Sequence, residues 1–234
     1  MKKAKIPIGR ILSVIFRTTI ETGEIPAVLK LAFITGIFKS GSRTEPVNYR
    51  PISLTSHVVK VMERVLRKAV VNHLELHLKL AANQHGSRAG RSTLSQLQQH
   101  YDEILTAIES GQNMDVIYLD FSKAYDKVDH GILLHKLKMI RISGKVGRWI
   151  DAFLLDRRQQ VMVKGHKSEA SSLRSGVPQG SVIGPLLFLI YIGDIDDEVL
   201  AKVLVYVDDS KVKDKIMNEE DVMKLQEELD KIYG

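Results

Sequence analysis

The sequence predicts an α+β fold built on an antiparallel sheet. Helical-period stretches and short β-branched runs mix along the chain without strict alternation, whereas a doubly wound sheet needs regular βα units. The runs Met114–Leu119 and Val203–Val207 each lead into aspartate, and Lys211–Ile216 can return as a hairpin partner of the second.

Each element follows from its own residues. Residues 10–20 read as a helix, ended by Gly23 and Pro26. Leu31–Phe38 is an apolar run with β-branched residues, hence a strand. Lys39–Asn48, with Gly41, Pro46 and Asn48, is a turn or hairpin tip. Leu54, Val58, Met62, Val65 and Ala69 fall at helical spacing towards Leu76. Asn83–Arg91 is a basic, glycine-containing loop, and Ser92 can cap a helix running to about Ser110. Met114–Leu119 is a strand ending at Asp120. His130–Ile140 and Val146–Leu155 read as helices, and Gln160–Lys164 with Ser171–Arg174 as a strand pair. Ser175–Gly180 is a loop. Val182–Asp194 is an apolar helix with Pro185 tolerated in its first turn. Asn218–Ile232 is a charged helix.

Composition narrows the function classes. The 234 residues are 44% hydrophobic and 26% charged, which supports a packed core and argues against disorder. There is no cysteine, so disulfides, thiolate zinc sites, iron–sulfur clusters and cysteine nucleophiles are excluded; this suits an intracellular protein. The net charge of +6 is uneven. Residues 1–193 hold 28 Lys and Arg against 15 Asp and Glu, while residues 194–234 hold 6 against 13. A basic body suggests a polyanionic partner, with nucleic acid the first candidate. The longest apolar run, Val182–Ile192, has eleven residues, short of the roughly 20 that span a bilayer, so no membrane is expected as a partner. The basic start, with Lys2, Lys3, Lys5, Arg10 and Arg17, reads as a first helix rather than a targeting peptide.

The chemistry concentrates on carboxylates. Asp120 follows an apolar strand and can project from the sheet rim. Asp208 and Asp209 follow another and sit at a tight turn. Carboxylate oxygens are hard ligands that suit Mg²⁺. Taken alone, Asp208-Asp209 reads as a solvated turn rather than a metal site. His73 and His77 have the i, i+4 spacing of a zinc pair but lack further ligands, so they read as helix surface. Asp194, Asp196, Asp197 and Glu198 read as an exposed acidic turn.

Four ordered motifs change the weight of these acids. Tyr206-Val207-Asp208-Asp209 resembles the Y-x-D-D box of reverse transcriptases. Asp120–His130 resembles their first carboxylate motif, Ser175–Pro185 the P-Q-G motif, and Asn48–Leu54 the fingers motif. The wording of Asp120–His130, Asp156–Gln159 and Leu186–Ile192 resembles non-LTR retrotransposons of the jockey-like group, and the likeness runs from about Gly23 to Leu229. Val207 stands where the family usually has Ala, and His85, Ser87, Ala89 and Gly193 also depart from its pattern.

The resemblance implies the fingers and palm of a right-hand polymerase, with fingers in 1–110, a palm in 111–234 and truncation before the thumb. It implies RNA-directed DNA polymerisation, with an RNA template, a DNA primer and dNTPs as partners. Asp120, Asp208 and Asp209 would hold two Mg²⁺, with Mn²⁺ a possible substitute and the Phe121 carbonyl a further ligand. Tyr125 would be the steric gate against a ribose 2′-hydroxyl. Arg50, Lys39 and Gln179 would bind the nucleotide. Arg88 and Arg91 would contact the template, and Gly176 and Gly180 would let backbone approach nucleic acid. The competing reading is an inactive or domesticated mobile-element remnant, acting at most as a nucleic-acid-binding module.

Overall fold

The computed structural model describes residues 5–77, 92–121, 123–195, 199, 201–206 and 209–233, with only the backbone described at Lys5, Thr93, Lys202, Val205, Tyr206, Asp209 and Tyr233. In chain order the elements are α1 (Lys5–Thr22), α2 (Ala27–Lys30), β1 (Leu31–Phe38), β2 (Tyr49–Leu54), α3 (His57–Leu76), α4 (Thr93–Glu109), β3 (Asn113–Asp120), α5 (His130–Met139), α6 (Gly144–Leu154), β4 (Arg158–Val163), β5 (His166–Lys167), β6 (Ser171–Ser172), α7 (Gly184–Tyr191), β7 (Lys202–Tyr206), β8 (Asp209–Ile216) and α8 (Glu219–Tyr233). Short 3₁₀ turns occupy Pro46–Asn48 and Ala124–Asp126. No described helix is long and apolar enough to cross a membrane.

The chain forms two compact units, each from two separate stretches: Met1–His77 with Tyr125–Leu187, and Leu78–Ala124 with Phe188–Gly234. In the first, β1 and β2 form the expected hairpin, in register from Phe33↔Leu54 to Phe38↔Tyr49. The sheet order is β2-β1-β4-β5, with β6 also on β4. The expected pair of strands after α6 is present as Arg158↔Ser172 and Gln159↔Ser171. The β1–β4 pairing is parallel, Leu31↔Arg158 to Ile34↔Val161; an all-antiparallel sheet was the expectation, and no local pattern announces a pairing between such distant segments. Trp149 and Phe153 on α6 are buried and stack with ring centroids 5.3 Å apart.

Helix α3 forms where the spacing puts it, but a different face is buried. The inward residues are Val59, Met62, Glu63, Leu66, Val70 and Leu74, while Val65 and Ala69 are exposed. Two apolar stripes compete on this helix. The buried one is fixed by packing, including Met62 Sδ accepting from buried Thr19 Oγ1 on α1 at 3.3 Å. His73 is not bare surface either: its Nε2 lies 2.9 Å from the Ile140 carbonyl at the end of α5.

In the second unit the sheet is β3-β8-β7, antiparallel throughout as expected. Leu119, Ala201, Val203 and Val212 pack with Leu225 and Leu229 of α8. Ser92 caps α4 as predicted: its Oγ accepts from the Ser95 amide at 3.2 Å, and its amide donates to Ser95 Oγ at 2.9 Å. Lys213, buried on β8, pairs with Glu103 of α4.

His100 of α4 is buried beside Tyr118, whose hydroxyl lies 3.4 Å from His100 Nε2. Burial first, then Lys211 and Lys213, hold its imidazole below the ordinary 6.5, against the opposing pull of Glu103. The unfolded chain takes up that proton where the folded chain resists it, so this contribution is full above pH 6.5 and is lost as pH falls below it. Thermal unfolding scanned from about pH 8 to 5 should show a smaller acid-side loss of Tm in His100→Gln than in wild type.

Candidate active site

The carboxylate site is built from strand ends. In β3, Leu119 is buried in the core of its unit while Tyr118 and Asp120 are exposed, so alternation turns Asp120 outward at the last residue of the strand. The antiparallel register sets Asp120 directly opposite Asp209, the first residue of β8. Asp209 also pairs with Tyr206, the last residue of β7. Directly opposed residues have Cα atoms about 4.5–5.5 Å apart. Backbones 89 positions apart in sequence are therefore neighbours at one sheet edge. β8 begins at Asp209, two residues before the expected start at Lys211. Asp208 itself lies outside the described residues, as do Arg88 and Arg91.

The chain turns sharply after Asp120. Phe121 is half-buried against the core of its unit, and its carbonyl accepts from the Ala124 amide at 3.1 Å. Lys123 adopts φ +56°, a left-handed conformation uncommon for a side-chain-bearing residue. Among the described residues no three His, Cys, Asp or Glu side chains cluster as a metal site; the expected trio includes Asp208.

The other candidates lie in the first unit. Arg50 is exposed on β2 opposite Ile37, and Lys39 is exposed just past β1, where its amide donates to the Asn48 carbonyl at 2.8 Å. Strand alternation places both on one face of the hairpin. Tyr125 and Gln179 are half-buried. The Tyr125 carbonyl accepts from the Val177 amide, and the Gln179 carbonyl from the Ser53 amide, each at 2.8 Å. The loop holding Gly176, Gln179 and Gly180 is thus tied both to the Tyr125 turn and to β2.

Gly176 has a reason to be glycine within the fold itself. It is buried, with φ +86°, and a Cβ there would sit 2.8 Å from Asp126 Cα and from the Tyr125 and Asp126 carbonyl oxygens. That close approach is to the protein's own backbone. Gly180 is exposed at φ +105°, and its Cβ would meet the Ser53 carbonyl oxygen at 2.7 Å.

Two side chains that support this loop carry no site role in the sequence, where His130 reads only as a residue capping or packing near the helix after Asp129. His130 Nε2 lies 2.8 Å from the Gly176 carbonyl. Glu63 of α3 accepts from the Val182 and Ile183 amides. The available signal for Glu63 was an acid set inside an apolar helical stripe, visible once Val59, Leu66 and Val70 are taken as the inner face.

The family model for reverse transcriptase (RNA-dependent DNA polymerase) matches residues 37–232, a span that holds every candidate residue from Lys39 to Asp209. The chain belongs to the reverse transcriptase family. Similar curated proteins include a probable RNA-directed DNA polymerase from transposon X-element of Drosophila melanogaster, 34% identical over 185 residues, covering 79% of this chain and 20% of that protein. The RNA-directed DNA polymerase from mobile element jockey of Drosophila melanogaster is 31% identical, over 87% of this chain and 23% of that protein. The chain thus spans roughly a fifth of the length of these relatives. Among solved structures, apo telomerase from Candida tropicalis truncated from its C-terminal domain aligns over 96% of this chain and 51% of that one, with a TM-score of 0.59 at 14% identity. The chain therefore shares its fold with a protein only 14% identical to it. Its non-LTR character agrees with the mobile-element relatives.

Proposed function

We propose that this chain carries the nucleotidyl-transfer centre of an RNA-directed DNA polymerase, extending a DNA primer on an RNA template with dNTPs. The observation that carries the reading is the pairing of Asp120 with Asp209 at adjacent strand ends. We assign fingers to 1–110 and palm to 111–234 as roles along the chain; the two compact units divide it elsewhere.

The donor set fits Mg²⁺. Asp120 is an exposed carboxylate at a strand end, Asp209 is its cross-strand neighbour, and Asp208 adjoins Asp209 in sequence. Carboxylate oxygens are the ligands such a hard ion takes. Two Mg²⁺ bound by Asp120, Asp208 and Asp209, with the Phe121 carbonyl as a further ligand, would favour the 3′-oxyanion of the primer and neutralise charge on the leaving pyrophosphate. The remaining roles belong to the chain. Arg50 and Lys39 bind the triphosphate, Arg50 through the fork of its guanidinium. Tyr125 excludes a ribose 2′-hydroxyl. Gln179 contacts the incoming nucleotide, and Arg88 and Arg91 contact template phosphates.

Primer extension on oligo(dT)·poly(rA) with Mg²⁺, and separately with Mn²⁺, tests this. Extension by the purified chain is the expected result. Retained duplex binding without extension would favour the nucleic-acid-binding module instead. In either case duplex affinity should fall steeply with salt, because the basic body releases counterions from the phosphates; about six phosphate contacts would lose roughly a thousandfold between about 50 and 200 mM salt.

A further inference from the structure

Glu63 is completely buried on α3. An ionised carboxylate in such a place needs donors aimed at it. Its Oε2 has them: the Val182 amide donates at 2.5 Å and the Ile183 amide at 3.0 Å. Both amides stand immediately ahead of α7. That helix buries Leu186, Leu187, Phe188 and Leu189, so its first free N–H groups depend on protein acceptors. Ser181 Oγ takes the next, accepting from the Gly184 amide at 2.9 Å. The positive end of the helix dipole adds a further attraction for the carboxylate.

A second buried charge faces the same region. Arg157 is stacked over Phe153, 4.8 Å from the ring centroid, and its Nη1 donates to the Phe153 carbonyl at 3.2 Å. Burial lowers the Arg157 guanidinium to about 10, and Glu63 opposes that fall. Burial likewise pushes the Glu63 carboxyl up, against the two amides, Arg157 and Lys60.

The segment that Glu63 grips begins three residues after Gln179, beyond Gly180 and Ser181. Upstream, the same loop is tied at the Val177 amide and at the Gln179 carbonyl. Glu63 supplies the downstream tie, across 119 positions of sequence. We infer that Glu63 is a positioning residue: its carboxylate fixes the loop that presents Gln179, and so governs nucleotide use without touching the nucleotide. The inference rests on the polymerase reading for its kinetic consequence, but not for its structural one.

Two conservative variants of the full chain separate reach from charge. Glu63→Asp keeps the charge but withdraws it from the amides. Glu63→Gln keeps the reach and an acceptor oxygen. Glu63→Asp should raise the KM for dNTP about tenfold with little change in duplex affinity, and should speed hydrogen exchange at the Val182 and Ile183 amides by at least about tenfold. Glu63→Gln should stay near wild type in both. Combined with Gln179→Ala, Glu63→Asp should add little to KM, because it acts through Gln179. Full additivity, or unchanged exchange in Glu63→Asp, overturns the inference. If the wild-type chain extends no primer, the polymerase reading fails by itself; faster exchange in Glu63→Asp than in Glu63→Gln then still supports the tie, and equal exchange refutes it.

Discussion

Asp120→Asn is expected to reduce primer extension by at least about a thousandfold, equivalent to losing roughly 4 kcal/mol of transition-state stabilisation. The substitution is nearly isosteric and sits at an exposed strand end, so the fold should barely register it, with Tm unchanged within the roughly 0.5 kcal/mol typical of surface positions. What it removes is one formal charge at the place where Asp120 and Asp209 meet. An amide oxygen is a weaker ligand for a hard divalent ion than a carboxylate. Duplex affinity should hold or rise slightly, since one negative charge near the phosphates is gone. Extension, thermal unfolding and duplex binding measured side by side decide the matter. Activity above a tenth of wild type would remove Asp120 from the centre, and lost binding with a lowered Tm would mean misfolding rather than lost chemistry. Asp208→Asn should behave in the same way.

The parts of the fold legible in the sequence are those with local signals. Short apolar, β-branched runs in Met114–Leu119 and Val203–Val207 specify two strands, and the acids at their ends are legible with them. The serine before Thr93 specifies a helix start, and its capping bonds with Ser95 are present. Less legible are features set by contacts far along the chain. The parallel register of Leu31–Ile34 with Arg158–Val161 leaves no trace in either segment, because Gln159 and Gln160 read as polar surface. The inner face of α3 is ambiguous because Val58 and Val65 offer as good an apolar stripe as Val59 and Leu66. Only packing chooses, and the choice is what brings Glu63 inside. For the site, residue types and order point to the carboxylates, while the reason for Gly176 emerges only from the backbone beside it.

Gly176→Ala should be among the most destabilising single-methyl changes in the protein, at about 3 kcal/mol or more. Its φ of +86° is a conformation that costs alanine about 1 kcal/mol by itself. The larger part comes from overlap, because the new Cβ would lie 2.8 Å from two carbonyl oxygens and from Asp126 Cα, all backbone. Relief by a small shift is blocked on both sides of the residue. The Gly176 amide donates to the Val128 carbonyl at 2.8 Å, and its own carbonyl meets His130 Nε2 at 2.8 Å. For a chain of this size, 3 kcal/mol lowers Tm by roughly 6–12 °C. Gly111→Ala is the control. Gly111 has a similar φ of +67° but nothing within 4 Å of its would-be Cβ, so it should show the conformational cost alone, about 1 kcal/mol. Equal losses in the two variants would refute the close approach at Gly176. A loss at Gly176 several times larger, with Tyr125 fluorescence altered in the surviving fold, would show that this glycine sets the spacing between the P-Q-G loop and the turn that carries Tyr125.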